Sequence, residues 1–387
     1  MNVMAKFQEF RWSRPAAALI MTLAFTAGCS SVIQSRREPG VPASVAERDA
    51  GFVIPYESYA AVGYRLDWRG YPTIHPGERV TRLVAYPDAL VVHESGNALT
   101  VMESANGGVR WSTALASRLT RFVGLGRVND PRHGDTITVA SDSEVFLLSA
   151  ATGTLVSRQA FGQVVNVGPL TVNSSGIYGS PSGELLCHQY ANGIRFWTVG
   201  ASGSYEQSPV RVGDVVGAVT STGRVSFIDP MSGRLLGGGR IFSGPGAPLT
   251  ANNYAMYIAS LDQSLYGYLP TGNVLWRHRT SAPLRQAPTA TADAVYCTTD
   301  GSLRAFDAAS GQVIWTAQGV AGTVLGRRQS NLLVWDGTTM ALVDAARGDV
   351  IAREILPGVR LITMSAFDDG DMYVVSVSGV VAKFVTR

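Results

Sequence analysis

The stretch Ala294-Val-Tyr-Cys-Thr-Thr-Asp-Gly-Ser-Leu-Arg-Ala-Phe-Asp-Ala-Ala-Ser-Gly-Gln-Val-Ile-Trp315 holds the clearest statement of the fold. Its period predicts a strand (AVYCTT), a two-residue turn at Asp300-Gly301, and a second strand (SLRAFD). A turn ending at Gly311 and a further strand (QVIW) follow. Asp-Gly between alternating runs is a strong hairpin signal, because both turn residues must take positive φ. The phrase recurs along the chain. Its turn glycine is Gly107, Gly153, Gly193, Gly233, Gly272, Gly311 and Gly348, at spacings of 46, 40, 40, 39, 39 and 37 residues. A period near 40 with three or four strands per repeat predicts a β-propeller, since solenoid repeats of this length are helical.

A tryptophan stands four residues after the glycine in four copies, as Trp111, Trp197, Trp276 and Trp315. The copies around Arg158, Gly237 and Ala352 lack it. One packing anchor among many can be dispensed with. After the seventh copy, Leu361–Phe367, Met372–Val377 and Val380–Val385 supply three strands and no fourth. Tyr64-Arg-Leu-Asp-Trp68-Arg69 reads as the missing outer strand, with Trp68 in the expected place. Closing the last blade with an N-terminal strand removes open sheet edges. The expectation is eight blades over 63–387, with seven as the alternative.

Composition agrees. The 387 residues include 42 glycines, with 46% hydrophobic and 16% charged residues. Glycine inside helices costs about 1 kcal/mol relative to alanine, which disfavours a helical bundle. The net charge of +3 is partly carried by Lys6, Arg11 and Arg14, so the remainder is close to neutral. Nucleic-acid partners, which need clustered basic charge, are excluded.

The first 28 residues read as an address. Three cations precede the 11-residue apolar run Pro15–Phe25. That run is half of what a membrane-spanning helix needs, and it suits a signal-peptide core. It ends at Thr26-Ala27-Gly28-Cys29-Ser30, which resembles the lipobox of bacterial lipoproteins. That resemblance implies cleavage before Cys29, acylation of its sulfur and new amine, and retention by a membrane through several acyl chains. An ordinary signal peptide with an incidental cysteine is the alternative. Ser30, where the inner-membrane retention signal usually has aspartate, points to the outer membrane. Residues 29–62 are expected to form a flexible, lipid-anchored tether, since proline, glycine and charge interrupt any apolar period. Cys187 and Cys297 lie in apolar runs of different repeats and read as buried small hydrophobes, with a disulfide as the alternative for an exported chain.

The phrases Asp307–Trp315 and Asp344-Ala-Ala-Arg-Gly348, with Ser149–Gly153 and Asp229–Gly233, resemble the repeat of PQQ-like β-propellers. In that family the tryptophan docks neighbouring blades. A lipoprotein of this size carrying a bare eight-bladed ring is similar to the BamB family. That likeness implies a non-catalytic scaffold at the outer membrane, facing the periplasm, monomeric within a complex. Its implied partner is the POTRA domains of the barrel-forming subunit, and it is a candidate guide for nascent barrel proteins. A scaffold for some other envelope protein or a polysaccharide is the second reading.

The third reading is a PQQ-dependent dehydrogenase on the same fold. Such enzymes need basic and polar residues for the quinone, a stacking tryptophan, oxygen ligands for calcium, and often a vicinal disulfide. No adjacent cysteines occur here. The acidic run Asp368-Asp369-Gly370-Asp371 could offer oxygens to calcium, but its place between two strands reads as a solvated turn. Gly179-Ser-Pro-Ser-Gly183 is no nucleophile elbow, and Gly237-Gly-Gly239 lacks the third spaced glycine and helix of a phosphate loop. Five scattered histidines (His75, His93, His133, His188, His278) and the basic groups Arg277–Arg279 with Arg285, and Arg327-Arg328, read as surface or packing residues. No catalytic residue, metal site or cofactor is expected.

Overall fold

In the computed structural model, which describes residue 40 and residues 44–387, Asp300 and Gly301 take φ of 51° and 77°. This is the mirror-image turn that matches the twist of a hairpin. It joins Ala294–Thr299 to Ser302–Asp307, paired in register from Ala294↔Asp307 to Thr299↔Ser302. The next turn is built by Asp307. Its carboxylate accepts from the backbone N–H and hydroxyl of Ser310, each at 2.7 Å, while Gly311 N–H donates to the Asp307 carbonyl at 2.8 Å. Gly311 sits at φ 71°, a conformation that costs other residues energy. Asp229 and Asp344 hold their turns the same way. The recurring Asp-x-x-x-Gly phrase is therefore turn chemistry.

The quoted stretch supplies the second, third and outer strands of a four-stranded blade, and the short Thr289–Ala290 is its inner strand. Eight such antiparallel sheets are present. Blade 1 spans 80–114, blade 2 122–160, blade 3 167–200, blade 4 210–240, blade 5 250–279, blade 6 289–317 and blade 7 323–355. Blade 8 is composite. Its sheet order is Tyr64–Gly70, Val381–Thr386, Met372–Ser376, Val359–Met364. The N-terminal strand runs antiparallel to the last strand, from Tyr64↔Thr386 to Gly70↔Val381. Eight blades with this closure are what the repeat arithmetic anticipates.

Burial follows from stacking. Met256–Ser260, Ser264–Tyr268 and Met372–Ser376 are buried at every position, because both faces of a middle strand meet a neighbouring blade. Outer strands alternate and carry the exposed residues. The hydrophobic core is a ring of inter-blade clusters rather than one centre.

One expectation changes. Residues 44–62, anticipated as part of a tether, hold two short helices, α1 (Val45–Ala50) and α2 (Tyr56–Ala61). Ser44 and Glu47 form a capping box on α1. Phe52, Ile54, Tyr59 and Val62 are buried in one cluster with Leu333, Leu342, Val374 and Phe384. Tyr59 stacks on Phe384 with ring centroids 3.8 Å apart. Arg48 is buried and donates to the carbonyls of Pro72 and Gly379. The composition signal failed because Phe52, Tyr59 and Val62 are spread over turns and half-helices, with no sustained period to detect. Cys29 and the expected signal peptide over 1–28 lie outside the described residues.

Candidate interaction surface

The seams between blades place most of the residues singled out by the repeat. At five seams an outer-strand indole lies against the turn glycine of the following blade and donates to the carbonyl three residues before that glycine. Trp68 meets Gly107 and donates to Ser104 at 3.1 Å, and Trp111 meets Gly153 and donates to Ala150 at 3.0 Å. Trp197 with Gly233, Trp276 with Gly311 and Trp315 with Gly348 repeat the contact, donating at 2.9 Å to Pro230, Ala308 and Ala345. A Cβ on Gly311 would stand 2.5 Å from Trp276 Cδ2. The glycine thus serves two ends, the left-handed turn and the space for the ring.

The three seams without tryptophan are closed differently. Between blades 2 and 3, Gln159 lies against Gly193, donates to Tyr190 O at 2.7 Å and is 2.8 Å from His188 Nε2. Between blades 4 and 5, Gly237, Gly238 and Gly239 let backbone meet backbone. A Cβ on Gly272 would stand 2.4 Å from Gly238 N, and one on Gly237 2.3 Å from Pro270 O. The glycine run is a packing device. Between blades 7 and 8, Ala352 packs against the cluster that contains Phe52 and Tyr59, so the docked N-terminal segment fills the place of the ring.

The acidic turn and the basic pair noted in the sequence meet each other. Asp368 pairs with Arg327 at 2.7 Å, Asp369 with Arg328 at 2.6 Å, and Asp371 with Lys383 at 3.2 Å. Carboxylates already neutralised by cations are poor ligands for a dication. Among the described residues, no group of three or more His, Cys, Asp and Glu is placed to hold a metal. His93 and His188 are buried, and desolvation pulls each down to about 4. Cys187 and Cys297 are buried free thiols in separate clusters, pushed up by desolvation to about 11 and about 12.

A cavity of about 550 Å³ opens between the inner strands, lined by Thr81, Arg82, Leu83, Val123, Gly124, Leu361 and their neighbours. Its walls are aliphatic and hydroxyl groups with one arginine, and carry no carboxylate or indole. This donor set does not fit a tricarboxylated quinone with its calcium ion.

What the surface does offer is apolar. Two or three residues after each turn glycine stands an exposed aliphatic or aromatic side chain, including Val109, Leu155, Phe196, Leu235, Val274, Ile314 and Ile351. They put apolar groups on the open edge strand of seven blades, and Phe242, 83% exposed, stands in the loop just beyond the outer strand of blade 4. The repeat phrase Val-Ile-Trp contained this signal; its aliphatic pair reads as core until the outer strand is known to be an edge.

The family model described as outer membrane protein assembly factor BamB matches residues 141–236 and 223–382. The chain belongs to the BamB family. Among curated relatives, the BamB of Burkholderia pseudomallei (strain K96243) is 28% identical over 165 residues, 42% of this chain and 43% of that protein. The match thus spans less than half of the relative's length. Solved structures share the fold. BamB from Moraxella catarrhalis superposes with a TM-score of 0.62 at 18% identity, covering 79% of this chain and 94% of that one. The designed protein Ika8 gives 0.67 at 14% identity over 83% and 99%, and Saccharomyces cerevisiae Sqt1 gives 0.65 at 10% over 84% and 100%. A designed ring and a yeast protein on the same scaffold illustrate that this BamB-family fold does not by itself define a task.

Proposed function

We propose that this chain is a non-catalytic scaffold of outer-membrane β-barrel protein assembly, anchored through an acylated Cys29 at the periplasmic face of the outer membrane. The single observation that carries the reading is the BamB family match across 141–382, which runs from blade 2 to blade 8. The side-chain chemistry supports it. Buried histidines and thiols are held neutral within the seams, the acidic turn is spent on ion pairs, and exposed groups are concentrated on edge strands, where an extended partner can pair and dock. The expected partner is a POTRA-containing barrel-assembly subunit bound by one copy of this chain. The test is removal of the chain from its native host, with folded barrel proteins quantified by heat-modifiable gel mobility. The reading predicts fewer folded outer-membrane barrels, restored by the wild-type gene. Unchanged barrel levels and folding kinetics would refute it, as would restoration that required added quinone and calcium.

A further inference from the structure

Between the outer halves of blades 3 and 4 lies a cleft of about 290 Å³, lined by Val199, Gly200, Ser202, Thr222, Arg224, Ser226, Leu235 and Arg240. Arg224 and Arg240 stand directly opposite each other on adjacent strands. Like charges in that relation repel. The same register position in other blades holds Ala98/Ala114, Glu144/Ala160, Glu184/Gly200, Ser264/Arg279 and Thr339/Ile355. Blade 4 is therefore unlike these in opposing two cations. Both arginines are exposed, and among the described residues neither forms an ion pair with a carboxylate. By contrast Arg110, Arg127, Arg158, Arg304 and Arg327 each hold an acid at 3.3 Å or less.

The floor of the cleft is cleared by the glycine run. Gly238 pairs with Ser226, and a Cβ on Gly238 would stand 3.5 Å from Arg224 Nη2. The Arg224 guanidinium thus lies beside backbone that carries no side chain at position 238. Ser202 brings a hydroxyl to the cleft, Thr222 Oγ1 donates to Ser202 O at 2.8 Å and fixes that loop, and Leu235 and Val199 form an apolar wall. Paired guanidinium forks are the side chains best matched to a tetrahedral oxyanion. The volume is at the low end of small-molecule sites and exceeds what a bare phosphate needs.

We propose that this cleft binds a phosphate ester of a small polar group, with Arg224 and Arg240 gripping the phosphate and the Ser202 hydroxyl facing its alcohol portion. A soluble phosphate ester and a glycerophospholipid headgroup share this chemistry. The test uses the full chain in dodecyl maltoside with glycerol 3-phosphate as probe, by calorimetric titration. A parallel arm uses flotation on phosphatidylglycerol against phosphatidylcholine vesicles in a Cys29→Ala background, so that acylation contributes nothing. The proposal expects saturable binding in one arm, weakened at least about tenfold in Arg224→Gln/Arg240→Gln. Binding should be unchanged in Arg211→Gln, an exposed arginine of the same blade, and weakened by added salt. The double variant should melt no lower than the wild type, since it removes a repulsion. Glycerol 3-phosphate binding identifies a soluble ester; selective flotation alone identifies the lipid. Absence of binding in both arms, or binding by the double variant equal to wild type, overturns the proposal.

Discussion

Changing Gly311 to alanine should destabilise the ring by an amount that depends on whether Trp276 is present. Two costs are combined at this position. The first is backbone strain, since Gly311 has φ 71°, and an L-residue pays roughly 1–2 kcal/mol in the left-handed region. The second is steric. The new Cβ would stand 2.5 to 2.8 Å from Cδ2, Cγ and Cε3 of Trp276, a rigid ring 7% exposed and stacked near Phe306 with centroids 6.3 Å apart. The indole cannot swing away without losing its bond to Ala308 O. Trp276→Ala alone should cost about 3–5 kcal/mol for the lost burial and the cavity. In that background the alanine at 311 meets open space and only the strain remains. The coupling between the two changes should therefore be about 1–3 kcal/mol, with the double variant more stable than additivity requires. For about 340 residues unfolding as one unit, each kcal/mol is worth roughly 1.5 °C. Scanning calorimetry of the four proteins reads the cycle: Trp276→Ala about 4–7 °C below wild type, and Gly311→Ala costing clearly more with the indole than without it. Equal costs of Gly311→Ala in the two backgrounds would refute the claim that the glycine is there for the ring.

The other seams and the anchor can be checked alongside. Tyr59→Ala should lower stability by about 3–5 kcal/mol, seen as an early melt, because it empties the place between blade 8 and the docked segment; an unchanged melting temperature would mean that α2 only rests on the surface. Gln159→Leu should cost about 1–3 kcal/mol by leaving Tyr190 O and His188 without their partner, again read by calorimetry. His93 and His188 have folded pKa values near 4 against an ordinary 6.5, so the unfolded chain binds more protons between these values. Stability should be complete above about pH 6.5 and fall as the pH drops towards 4, and His188→Gln should flatten that fall in a series of melts. Cys29→Ala should move the protein from the membrane pellet to the soluble fraction, and unaltered fractionation would remove the lipid anchor.

Much of the fold is legible because a propeller repeats its turn chemistry. Asp307 and Gly311 are fixed by local hydrogen bonds and positive φ, so they recur as letters at a period near 40. Trp68 was legible for the same reason, although it is separated from its sheet partner Lys383 by most of the chain. What could not be read is what depends on tertiary partners alone. Gln159 replaces a tryptophan from a position two residues further along the strand, a substitution that no spacing reveals. The docked segment around Phe52 and Tyr59 has no period, because it fills one gap rather than repeating. The Arg224–Arg240 pair lies 16 residues apart in sequence, and its like-charge contact exists only once the register of blade 4 is known. The partner-binding surface is harder still, since exposed edge residues obey no packing rule that would mark them.

The proposed role requires this ring to hold another envelope protein. The most direct measurement is affinity capture of the tagged chain, expressed at native level, from gently solubilised envelopes, with mass spectrometry of the co-purifying proteins. A POTRA-containing barrel-assembly subunit is expected at near-stoichiometric yield. Its absence, with a different envelope protein or a glycan enriched in its place, would contradict the assembly role while leaving the eight-bladed ring intact.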